Sequence, residues 1–82
     1  MEIRIKEWFE EKAQREAKHY NVWIDLKRNE DDTIEVVDGF VTAYVEEQLA
    51  ESEKAIKVRL ASGAVVGSYK GWTLWIPKSV IA

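Results

Sequence analysis

The chain has 82 residues and a mass of 9.5 kDa; 46% of it is apolar, with four Trp, three Tyr and two Phe. That is room for one small domain spanning 1–82, which buries roughly 60% of the surface of its unfolded form, and it is too aromatic for a disordered tail. With no Cys, no apolar run near roughly 18 residues and a net charge of −3, the sequence excludes a disulfide framework, a thiolate centre and a spanning helix, and argues mildly against a nucleic-acid partner.

Glu2, Glu7, Glu10 and Glu11 crowd an N-terminus unlike a signal peptide, so a soluble cytoplasmic protein is expected. The surplus of Glu and Lys with scarce Asn and Gln is a thermophile-like composition. From about residue 4 to 19 the chain is rich in Glu, Lys, Ala, Gln and Arg and predicts a helix. Ile5, Phe9, Ala13 and Ala17 fall at steps of four and make its apolar stripe, flanked by Trp8 and Tyr20. The alternation Met1–Ile3–Ile5 also admits a short strand before the helix. His19 sits at the helix end, where a cationic side chain suits the helix dipole.

Beyond Asn21 the period changes to two. Strands are predicted at about 21–27, 33–37, 40–48, 55–60, 64–69 and 72–76, separated by polar turns and Gly. Residues 49–53 read as a loop or one helical turn. Val41, Ala43 and Val45 share one face, as do Ile56, Val58 and Leu60, with Lys57 and Arg59 opposite. Trp72, Leu74 and Ile76 alternate with Thr73 and Trp75, and Pro77, lacking a ladder N–H, ends the last strand or marks an edge. The expected core comprises Ile24, Val41, Val45, Ile56, Val58, Leu60, Leu74 and Ile76. Strands 40–48 and 55–60 are expected to form an antiparallel hairpin with Glu46 near Lys57.

This order reads as an α+β fold: an N-terminal amphipathic helix packed on a small antiparallel five- or six-stranded curled sheet, or on an SH3/OB-like barrel whose closure hides strand edges. The run Gly71-Trp72-Thr73-Leu74-Trp75-Ile76-Pro77-Lys78-Ser79-Val80-Ile81 resembles the last strands of SH3-type barrels. That resemblance implies a short 3₁₀ turn after Pro77 leading into a final short strand. The acidic–aromatic ligand loop of that family has no counterpart here.

Charge is segregated along the chain. Residues 1–29 carry +1, residues 30–53 carry −9 without one base, and residues 54–82 carry +5 without one acid. Opposite charges on neighbouring strands would account for this by themselves. The basic third also holds Tyr69, Trp72 and Trp75, and sheets that pair Lys or Arg with aromatic rings bind single-stranded nucleic acid. The candidate nucleic-acid-binding residues are therefore Lys57, Arg59, Tyr69, Lys70, Trp75 and Lys78, with Trp23 as a further stacking ring. In the alternative arrangement Trp75 lies under the helix with Trp8 or Phe9, and the bases pair with Glu46 and Glu47.

A second function class is a protein-binding, homodimeric or inhibitor module, in which the acidic block 30–53 engages a basic partner. Enzyme chemistry has no phosphate loop, zinc-binding His pair or nucleophile elbow behind it. Glu30-Asp31-Asp32 lacks the alternate spacing and the Gly of a calcium loop. No catalytic residue, cofactor or metal is expected.

Overall fold

A computed structural model describes residues 1–60, 63–64 and 72–82. The elements in chain order are β1 (Glu2–Lys6), α1 (Glu7–Lys18), β2 (Val22–Trp23), β3 (Phe40–Glu51), β4 (Ala55–Leu60), β5 (Gly63–Ala64), β6 (Thr73–Pro77) and a 3₁₀ turn (Lys78–Val80). Four strands form one antiparallel sheet in the order β1-β3-β4-β6, and β2 pairs with β5. The fold is α+β. The sheet is not closed: the chain returns from the 3₁₀ turn to β1 through the bridge Ile5↔Ile81 and the Ala82 N–H donating to the Arg4 carbonyl at 2.9 Å.

The helix starts later than its composition suggests. Residues 2–6 are strand, not helix, because β-branched Ile3 and Ile5 alternate and find a partner in β3, with Ile5 opposite Val41. Ile5 is thus a core strand residue, not part of the helical stripe. The Glu7 N–H donates to the Gly39 carbonyl at 2.9 Å, satisfying one of the helix's orphan donors from across the fold. Phe9, Ala13 and Ala17 form the buried face of α1, and the small Ala side chains let it approach closely. At the other end Asn21 takes the left-handed conformation that Asn tolerates, at φ 56°.

The expected strand 21–27 is interrupted. Val22, Ile24 and Leu26 do point inward, but the Ile24 N–H donates to Gln14 Oε1 of the helix at 2.9 Å instead of to a strand. Residues 25–27 rejoin β3 through the Leu26↔Ala43 bridge. The expected strand 33–37 is absent. Asp31 and Asn29 bind Thr33 in one tight turn, and Asp38 and Gly39 take positive φ in another. Between these turns only isolated bridges at Ile34 and Val37 form, leaving Ile34, Val36 and Val37 exposed. Thr33 hydrogen bonds hold the Asp31 carboxyl below its ordinary range.

β3 runs on to Glu51, so residues 49–51 are strand and not a loop or helical turn. It pairs antiparallel with β4 across irregularities between Val45 and Glu47 and between Gln48 and Ala50. These shift the register, so Glu47 rather than Glu46 lies opposite a base, and that base is Arg59 rather than Lys57. Ser52 closes the hairpin, its N–H donating to the Ala55 carbonyl at 2.8 Å while its Oγ accepts from the Ala55 N–H at 3.1 Å. β6 ends at Pro77 and lies at the sheet margin, as a residue without an N–H requires.

Of the expected core, Ile24, Val41, Val45, Ile56, Val58 and Ile76 are buried and Leu74 is partly so. The Leu60 side chain and residues 65–69 of the expected strand 64–69 lie outside the described residues. One charged side chain joins this core among the described residues: Glu10, 7% exposed. Burial chiefly, then the charges of Glu11 and Glu7, raise its carboxyl above the ordinary value.

A raised native pKa makes folding most favourable below the unfolded carboxyl's range, and stability falls as pH rises through the native value. Glu10→Gln should therefore melt higher than the wild type at pH 7, by about 1 kcal/mol. That advantage should shrink as the pH is lowered through the carboxylate range. Thermal melts of both proteins across this range measure it, and a gap independent of pH would contradict the origin assigned to it.

Candidate ligand-binding site

The outer face of β4 and β6 places its side chains by strand alternation. Lys57 lies directly opposite Trp75, and Arg59 opposite Thr73. Trp72 is 7% exposed, whereas Trp75, three residues on, is 48% exposed. Trp75 therefore does not pack under the helix. Trp8 instead meets Phe9 edge-on, with ring centroids 6.0 Å apart.

Two of the candidate bases are already engaged. The Arg59 guanidinium donates to Glu47 across the β3–β4 ladder. Lys78 Nζ donates to Glu51 Oε2 at 2.7 Å, and the Lys78 backbone N–H donates to the Lys54 carbonyl at 2.8 Å. Lys78 thus ties the 3₁₀ turn to the β3–β4 hairpin. Its hydrogen bond, with one from Gln48, holds the Glu51 carboxyl below its ordinary range. Lys57, by contrast, makes no ion pair or side-chain hydrogen bond among the described residues. Tyr69 and Lys70 lie outside the described residues. The structure therefore brings Lys57 and Trp75 together with Arg59 beside them, and sets Lys78 apart at a structural corner.

Trp75 also borders a groove of about 300 Å³ that strand alternation by itself does not reveal. Glu16, His19 and Tyr20 from the end of α1 form one wall, and Trp72, Thr73, Leu74 and Trp75 form the other. The Tyr20 and Trp72 rings lie 6.3 Å apart between centroids, tilted by 34°. Tyr20 is half-exposed, so the groove has one buried aromatic ring flanked by two accessible ones. Tyr20, Trp72 and Glu16 are additions to the sequence-derived site. The local signals for them are the position of Tyr20 beside the apolar stripe of the helix and that of Trp72 among the aromatic rings of the basic third. Trp23 is exposed at a separate hollow, lined with Gln14, Lys18, Asn21 and Val22.

Such a groove offers π-faces, apolar area and one rim carboxylate. Among the described residues no group of three His, Cys, Asp or Glu side chains is arranged to hold a metal ion. No helix of the described residues is long and apolar enough to cross a membrane. No protein family, characterised protein or solved structure matches the chain.

Proposed function

We propose that this protein is a non-enzymatic binding domain that holds a segment of another protein in the aromatic groove between the end of α1 and β6. The observation that carries this reading is the grouping of half-exposed Trp75 and Tyr20 around buried Trp72. Trp and Tyr are the side chains that most often anchor protein interfaces, because each buries a large rigid area at small entropic cost. Glu16 on the rim favours a segment that is neutral or basic. The return of Ile81 to β1 after a 3₁₀ turn supports placing this groove on an SH3-like variant, with β6 as its accessible margin.

A second reading, single-stranded nucleic acid on the β4–β6 face, is favoured by Lys57 standing beside Trp75. Phosphates would be met by Lys57, Arg59 and Lys78, joined by Lys70, while Trp75 and Tyr69 stack on bases. The carboxylates that hold Arg59 and Lys78 weigh against it, since each would have to be displaced.

Panning a displayed library of random peptides against the protein, together with a tryptophan-fluorescence titration by oligo-dT in low salt, separates the two. The groove reading expects enriched peptides whose binding is lost in Trp75→Ala and in Tyr20→Ala, with no response to oligo-dT. Quenching by oligo-dT with a log–log salt slope near −2, from about −0.7 for each of three phosphate contacts, would replace it with the nucleic-acid reading. Sedimentation in the micromolar range reads the remaining partner, a second copy of the chain. A dimer that persists in Trp75→Ala would place self-association outside the groove.

A further inference from the structure

A second cleft, of about 350 Å³, runs along another part of α1. Glu7, Glu10 and Glu11 line one end, Gln14, Arg15 and Lys18 continue along the helix, and Ile34 and Val41 complete the lining. It shares no lining residue with the aromatic groove. Acidic residues in the first turn of a helix suit its dipole, which accounts for the presence of Glu7 and Glu10. The dipole does not account for the burial. Glu10 is more than nine-tenths buried, and neither it nor Glu7 nor Glu11 makes a side-chain hydrogen bond or ion pair among the described residues. A buried carboxylate without a partner is costly, and three carboxylates in two turns repel one another. A cation supplied from outside the chain removes both penalties.

We propose that this cleft receives an Arg or Lys side chain of a partner protein, its charged head against Glu10 between Glu7 and Glu11 and its methylene stem over Ile34 and Val41. The lining matches that side chain in both parts, carboxylates from Glu7, Glu10 and Glu11 and apolar side chains from exposed Ile34 and buried Val41. A bare metal ion is a poor fit, since the three acids do not form a metal-binding group. A polyamine is also a poor fit. Arg15 and Lys18 lie farther along the same cleft, with Lys18 about 12 Å from Glu10 along the helix axis, and they repel a second positive charge. Ile34 and Val41 are the lining residues contributed from outside α1, and neither titrates. The charged groups facing Glu10 within the cleft are therefore Glu7, Glu11, Arg15 and Lys18. Protonation of Glu10 competes with the cation, so binding should weaken as the pH falls.

The test is a nitrogen-15 NMR titration of the whole chain at pH 7.5 with acetyl-Gly-Arg-Gly-amide, n-butylguanidinium and spermidine, and with a citrulline peptide as the neutral control. The expected result is shifts confined to the amides of residues 7–14, 34 and 41 with the Arg peptide and with butylguanidinium, and none with citrulline. Glu10→Gln, which keeps the side-chain shape, should weaken binding about tenfold. Ile34→Ser should weaken it several-fold while leaving every charge in place. Equal affinity in Glu10→Gln, or shifts centred elsewhere, would overturn the proposal. Spermidine binding tighter than the Arg peptide would also overturn it, by assigning the cleft to a free polyamine.

Discussion

Val58→Asp is expected to leave the chain unfolded at room temperature. Val58 is 0% exposed, in the middle of β4, with Gln48 opposite on β3 and Leu74 opposite on β6. Among the described residues no base shares the buried face, since Lys57 and Arg59 alternate to the other side. A carboxylate there would be both desolvated and unpaired, a cost of several kcal/mol that rivals the whole stability of a domain this small. Val58→Ala, which removes two methyl groups without adding charge, should cost about 2 kcal/mol and stay folded. Lys57→Asp, one position away on the outer face, should change stability by no more than about 0.5 kcal/mol. Circular dichroism and chemical denaturation of the three variants read these outcomes. A wild-type melting curve for Val58→Asp would mean that the inward face of β4 is misassigned.

The two tryptophans of the groove should separate in the same kind of experiment. Trp72→Ala removes a ring that is 7% exposed and packed with Ile76 and Val80 in the core cluster, and should cost about 3–5 kcal/mol. Trp75→Ala removes a half-exposed ring from the outer face and should cost about 1 kcal/mol or less. Urea denaturation gives both values, and far-ultraviolet spectra show whether Trp72→Ala retains the fold. The contrast matters for function. Trp75→Ala is the variant in which a loss of ligand binding reports the groove itself, whereas Trp72→Ala alters the site by loosening the fold beneath it. Equal losses from the two substitutions would contradict the division into one core ring and one accessible ring.

What the sequence determined by itself is whatever rests on local periodicity. Phe9, Ala13 and Ala17 recur at the helical step, and Val41–Ala43–Val45, Ile56–Val58 and Trp72–Leu74–Ile76 recur at the strand step. Their placement in or against the core needed no knowledge of what each element packs on. The stop at Pro77 came from the same local chemistry. The tertiary structure decided where two distant segments meet. Ile5 is strand because β3 offers it a partner, although its spacing to Phe9 fits the helical stripe equally well. Ile34, Val36 and Val37 have strand-like chemistry but lie between two turns and gain only isolated bridges, at Ile34 and Val37. The irregular register of β3 moves the ion pair from Glu46 and Lys57 to Glu47 and Arg59, one residue along β3 and two along β4, a displacement that composition cannot encode. The joining of Tyr20 to Trp72, and the cleft that Glu10 shares with Ile34 and Val41, depend on packing between residues far apart in the chain, and both candidate binding sites lie where those distant segments come together.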